Sequence, residues 1–230
     1  MSQDATPAAS NGASTAAQTA NLSLAAKRAL AERLLQKKAG AARIEFAQSY
    51  SQRAMWFLHQ LDPASPAYHV AFAARIRSPL NAAALGRAIQ RLIDRHPVLR
   101  ATFTMGEAGP VQSVAGWCAA AFEVVEAAGW TEEELHQQAL AEYARPFDLE
   151  CGAPLRATLF LRPATPLHGE DHLLLLVAHH IVMDGWSLGL FLNELLAFYA
   201  AEHNGAPDVL TPPAARYADY VDWQRRLLAG

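Results

Sequence analysis

Leu173-Leu174-Leu175-Leu176-Val177-Ala178-His179-His180-Ile181-Val182-Met183-Asp184-Gly185-Trp186-Ser187 is the stretch that decides how this chain folds. Its first six residues are apolar without a break, and such a run reads as a strand buried on both faces. Two histidines follow at once, then a short crossing, and then an apolar segment from Ser187 to Glu202 that reads as a helix closed by Asn204-Gly205. A strand ending in imidazoles delivers groups that titrate near neutrality to the rim of a sheet. Asp184, four residues beyond His180, is placed to fix the turn. Gly185 is expected to take a backbone angle or a close approach that a side chain forbids. Ser187 is expected to cap the helix, and Trp186 to pack at its start.

Outward from this stretch, helices and strands alternate irregularly. Gln48 to Gln60 reads as a helix stopped by Asp62-Pro63. Tyr68 to Ile76 alternates loosely as a strand. Asn81 is expected to cap a helix running to Arg95, with Leu85, Ile89, Leu92 and Ile93 as its buried stripe. Leu99 to Thr104 and Val111 to Ala115 read as a hairpin, and Thr131 with Glu134 as a capping box opening a helix to Tyr143. Leu155 to Arg162 and His172 to Ala178 are strands, and Tyr217 to Leu228 is a last helix. The pattern predicts an α/β class fold, an α+β layered sandwich whose mixed sheet is flanked by helices. Residues 1 to 21 have the composition of a disordered tail. Leu22 to Ala39 then reads as an amphipathic helix with Ala26, Leu30 and Leu34 in line and Gly40 as its stop.

At 230 residues, with 52% apolar residues, the chain can bury a sizeable core. A net charge of −3 gives no basic surface for nucleic acid. No apolar stretch reaches the length of a membrane span, and the N-terminus lacks the apolar core of a signal peptide. Cys118 and Cys151 carry no pairing pattern, which fits a reducing, cytoplasmic setting.

Two other chemistries compete for the same residues. Gly185-Trp186-Ser187-Leu188-Gly189 satisfies the G-x-S-x-G pattern of a nucleophile elbow. That elbow needs its first glycine directly after a strand, whereas six residues separate Gly185 from the apolar run here. A metal site among His168, His172, His179, His180, Asp171 and Asp184 is disfavoured, because alternation sends His172 and His179 to opposite faces and no spacing matches a zinc pattern. No phosphate loop or dinucleotide fingerprint is present, so no metal and no nucleotide cofactor is expected.

The string from His179 to Ser187 resembles the HHxxxDGxS signature of the condensation domains of non-ribosomal peptide synthetases, in the chloramphenicol acetyltransferase-like superfamily. Ser49 to Leu61 looks like that family's opening motif. Arg95-His96-Pro97-Val98-Leu99-Arg100-Ala101-Thr102-Phe103 is similar to its RHxxLRTxF motif, with Ala101 in place of a threonine. Tyr217-Ala218-Asp219-Tyr220-Val221-Asp222-Trp223 resembles YxDYxxW. The resemblance covers residues 46 to 230 and implies the first lobe, assigned to 44–230, of a two-lobed domain. The 1–43 segment is assigned to a tail with a basic helix that links or docks. By the resemblance, the intact domain joins a donor acyl thioester to the amine of an aminoacyl thioester, and the lobe alone is expected to be inactive. Both substrates hang from 4′-phosphopantetheine arms of upstream and downstream carrier domains, so no cofactor is bound directly.

Carried over by position, His180 is the catalytic imidazole, acting as general base or by holding the amine. His179 is buried support. Asp184 pairs with Arg95, or failing that with Arg100, to hold the loop beneath His180. The N–H of Gly185 is a candidate oxyanion donor, and Trp186 and Ser187 are assigned to the substrate channel. The sequence around Ser65 to His69 looks like domains of hybrid lines with polyketide or fatty acyl donors. Alternative readings are an epimerisation domain, a coenzyme A-dependent acyltransferase, or a docking module. Residues 1–43 would meet an upstream synthetase partner through the basic residues Lys27, Arg28, Arg33, Lys37 and Lys38.

Overall fold

The structure, a computed structural model, describes residues 23–107, 109–164, 169–205 and 210–228. The expected tail over 1–21 lies outside the described residues. Within the described residues, thirteen regular elements and one 3-10 turn follow in order. They are α1 (Leu24–Ala41), β1 (Arg43–Ala47), α2 (Tyr50–Leu61), β2 (His69–Ile76), α3 (Ala82–Arg95), the turn Pro97–Arg100, β3 (Ala101–Gly106), β4 (Gly109–Ala115), β5 (Phe122–Glu126), α4 (Glu132–Ala144), β6 (Leu155–Leu161), β7 (His172–His179), α5 (Gly185–Asn204) and α6 (Tyr217–Leu228).

The leucine run becomes β7, an interior strand of a four-stranded sheet ordered β2-β7-β6-β5. β2 and β6 run antiparallel to β7, while β5 pairs parallel with β6, so the sheet is mixed as expected. Because side chains alternate across a strand, the run divides between two cores. Leu174, Leu176 and Ala178, with Leu155, Ala157 and Leu159 of β6, pack against Leu85, Ile89 and Leu92 of α3 and Phe191, Leu195 and Phe198 of α5. Leu175 and Val177, with Phe160, face Trp56 of α2, Phe103 of β3 and Leu135 of α4. The second sheet, β1-β4-β3, is wholly antiparallel.

Local signals set the helix ends. The Asn81 side chain accepts from Ala84 N, and the buried stripe of α3 is the expected one with Ala84 and Ala88 added. Ser49 with Gln52, and Thr131 with Glu134, form capping boxes. Gly205, at φ 66°, closes α5 in the left-handed conformation. β1 and β5 have no counterpart in the expected elements, since both are short edge strands with exposed, largely polar faces.

α1 departs from expectation in two ways. It runs through Gly40 to Ala41, because Gly40 serves a close approach instead of a stop: a Cβ there would lie 3.1 Å from Trp117 O, and one on Gly116 would lie 2.7 Å from Ala39 O. The expected stripe is not packed, with Leu30 half-buried and Leu34 and Leu35 58% and 67% exposed.

Candidate active site

β7 ends by turning its two histidines in opposite directions. The backbone N–H of His180 donates to Tyr68 O at 2.8 Å, extending the β2–β7 ladder one residue past the strand. Ile181 N donates to His179 Nδ1 at 3.1 Å, and Val182 N to His179 O at 3.1 Å, folding the chain back. His179 is left only 2% exposed, while His180 stands in solvent.

His179 lies in a cluster that linear reading does not reveal. Its ring meets His59 edge-on at 5.4 Å, Phe147 at 6.2 Å and His69 at 6.3 Å between centroids. Burial first, then repulsion from the neighbouring imidazoles, lowers the His179 pKa to about 3, so the ring is neutral. Since its Nδ1 accepts from Ile181, the proton sits on Nε2. The His69 Nδ1 lies 2.7 Å from Tyr143 O, which can only accept, so that nitrogen carries the proton. Burial also lowers the pKa values of His59 and His69. His59 falls on the buried face of α2 with Gln52 and Trp56, and His69 pairs directly opposite His179 in the sheet register. The first spacing is visible in the sequence; the second needs the register.

The loop after His180 is held differently from expectation. Asp184, not Ser187, is the cap of α5: its Oδ1 accepts from Ser187 N at 2.7 Å. The Ser187 N–H and hydroxyl hold the Asp184 carboxyl below its ordinary value. Neither arginine reaches it. Arg95 Nε donates to Glu194 Oε1 at 3.1 Å, and its guanidinium also reaches Thr211 O. His96 Nε2 lies 2.5 Å from the other oxygen of Glu194. Arg100 is spent on the carbonyls of Ile93, Asp94 and Ala115. The reason is geometric: capping consumes Asp184, while Glu194, farther along α5, meets the C-terminal end of α3.

A cleft of about 180 Å³ opens over His180. Ser51, Gln52 and Met55 of α2 form one wall, His180 to Asp184 and Ser187 the other, and Tyr217 of α6 closes it. Ser187 lines this cleft. Trp186 neither packs nor lines it, exposing 82% of its surface. Gly185 opens α5 without positive φ, and a Cβ there would meet no atom within 4 Å, so the expected constraint is absent. A larger groove of about 740 Å³ runs from Phe46 and Val114 past Arg100 to α6, and Tyr217 is the residue it shares with the smaller cleft. The exposed His180 imidazole lines the smaller cleft and not the larger groove.

Among the described residues no group of histidine, cysteine and acidic side chains is arranged to hold a metal ion. His172 instead accepts from Arg162 N at 3.0 Å and faces Glu170 at 2.7 Å; His168 lies outside the described residues.

A model of the condensation domain matches residues 44–230. The chain belongs to the condensation-domain family. It is 38% identical over 186 residues to a component of the linear gramicidin synthase of Brevibacillus parabrevis, covering 79% of this chain and 2% of that protein. It is 38% identical over 184 residues to phosphinothricin tripeptide synthetase PhsC of Streptomyces viridochromogenes, covering 78% of this chain and 16% of that one. The fold matches the first condensation domain of the CDA synthetase with a TM-score of 0.70 at 23% identity, over 81% of this chain and 47% of that chain. It also matches the X-domain from teicoplanin biosynthesis with a TM-score of 0.71 at 29% identity, over 80% and 38%. The chain therefore spans a small part of the synthetases it resembles and less than half of these solved domains. In this condensation-domain chain, the HHxxxDG string occupies the turn between β7 and α5.

Proposed function

We propose that the domain to which this chain contributes forms an amide bond between a carrier-bound acyl thioester and the amine of a carrier-bound aminoacyl thioester. The observation that carries this reading is the exposed imidazole of His180, fixed by its backbone bond to Tyr68 and lining an open cleft. The amine nitrogen attacks the thioester carbon, the C–N bond forms, and the carbonyl oxygen takes the displaced electron pair. The proton lost by nitrogen passes to the His180 imidazole, or is steadied by a hydrogen bond to it, and returns to the sulfur as the C–S bond breaks. Amide and free pantetheine thiol are the products. Holding two tethered reactants together supplies much of the acceleration.

The phosphopantetheine arms enter as parts of the substrates, carried by upstream and downstream carrier domains. His179 and Asp184 shape the site from behind, the first as a neutral buried acceptor and the second as the helix cap. Trp186, exposed beside the cleft, suits the rim where an arm or the second lobe arrives. Donors from polyketide or fatty acyl chemistry fit the same scheme, since only the thioester carbon reacts. The basic helix α1, with Leu34 and Leu35 exposed, would contact an acidic segment of an upstream synthetase partner.

The test reconstitutes the complete synthetase with ATP and amino acids and reads its carrier domains by intact mass. Transfer of the upstream acyl group to the downstream amine is the expected result. Loaded carriers that never exchange would contradict the proposal.

A further inference from the structure

Tyr217 and Ser49 are 168 residues apart, yet their hydroxyl oxygens lie 2.8 Å apart at the edge of the His180 cleft. Ser49 is only 1% exposed, and its Oγ already accepts from Gln52 N at 3.1 Å as the cap of α2. A buried hydroxyl proton without an acceptor is costly. The oxygen that meets this need is Tyr217 Oη, so Ser49 donates and Tyr217 accepts. A phenol has one proton of its own to give. Among the described residues, no carbonyl or carboxylate accepts it. Burial raises the pKa of the phenol, which keeps that proton in place. Two other polar side chains of the cleft are committed: the Gln52 amide pairs with Gln112 and Ser49 N, and Asp184 caps α5.

We propose that Tyr217 is a further catalytic residue, whose phenolic O–H, set by Ser49, donates a hydrogen bond to the thioester carbonyl oxygen as it becomes an oxyanion opposite His180. The inference rests on the amide-forming reading. It assigns the oxyanion contact to a side chain that lines the cleft, whereas Gly185 does not line it. The electron pair displaced onto oxygen when nitrogen attacks is stabilised by the phenol without proton transfer. It returns to expel the thiolate, while the amine proton travels through His180. A donor aimed at developing charge acts on kcat more than on KM.

The experiment compares Tyr217→Phe, Ser49→Ala and the double variant in the complete synthetase, measuring single-turnover amide formation on its own loaded carriers. Tyr217→Phe keeps the ring and should lower the rate about 100-fold with little change in carrier affinity. Ser49→Ala should cost less, and the double variant should lose no more than Tyr217→Phe alone. A folded Tyr217→Phe within twofold of wild type would overturn the inference and leave the amide-forming reading intact. A wild-type enzyme that forms no amide would overturn both. Should Phe at 217 prevent folding, 3,5-difluorotyrosine there fills nearly the same space and ionises at lower pH. It should lose activity on the alkaline side where wild type keeps it, and an unshifted profile overturns the inference.

Discussion

Lowering the pH from 7.5 to 4.5 should destabilise the chain through His179. In the folded state burial holds this imidazole's pKa at about 3, against an ordinary 6.5 once the chain unfolds. Above 6.5 the ring is neutral in both states and contributes no pH dependence. Below 6.5 the unfolded ring takes up a proton that the folded one refuses, so stability falls until the folded pKa is reached. Each unit of that window costs about 1.4 kcal/mol, so the two units between 6.5 and 4.5 cost on the order of 3 kcal/mol from His179 alone. His59 and His69, lowered in the same direction by burial, add to the loss. Against the roughly 5–15 kcal/mol of a typical domain this is a large share. The assay is urea unfolding at both pH values for wild type and His179→Asn, whose side-chain oxygen can still accept from Ile181 N but does not titrate. Carboxylates titrate alike in both proteins and cancel in the comparison. The variant should show a pH-dependent loss smaller by about 2–3 kcal/mol. Equal losses in the two proteins would refute the burial argument.

Other substitutions separate the roles assigned around the cleft. Asp184→Ala removes the cap of α5 and should cost about 1 kcal/mol, seen as a lower Tm, whereas Asp184→Asn should recover most of it. Glu194→Ala strips Arg95 and His96 of their shared partner and should cost about 2 kcal/mol; in a double-mutant cycle Arg95 should couple to Glu194 and not to Asp184. Gly185→Ala should leave thermal stability unchanged or slightly raised, because its Cβ enters open space and alanine favours helix; a fall of several degrees would show a constraint that the backbone does not reveal.

What the sequence made legible was what short-range physics controls. The uninterrupted leucine run reads as a strand buried on both faces and forms one, and the α3 stripe from Leu85 to Ile93 named its own buried side. The Thr131–Glu134 capping box stood in the order that local hydrogen bonding demands. The departures share a different cause. The family resemblance pairs Asp184 with Arg95, but Glu194 lies on the helix that Asp184 caps and is nearer the arginine once α3 and α5 pack. His69 meets His179 only through the β2–β7 register, which no local pattern prints. β1 and β5 are edge strands, so one side of each ladder faces solvent and the apolar alternation that marks interior strands is weak. Tyr217 was visible as part of a motif, while its place beside His180 depends on α6 folding back onto α2, a contact held by the Ser49 hydroxyl and by Tyr50 N to Gln224.

The most direct test of the account replaces His180 with alanine in the complete condensation domain and follows single-turnover amide formation between its loaded carriers. The His180 side chain is exposed and its backbone bond to Tyr68 O does not depend on it, so the fold should persist with an unchanged melt. Amide formation should fall by at least about 100-fold. A His180→Ala domain that joins its substrates at the wild-type rate would contradict the assignment of the chemistry to this imidazole.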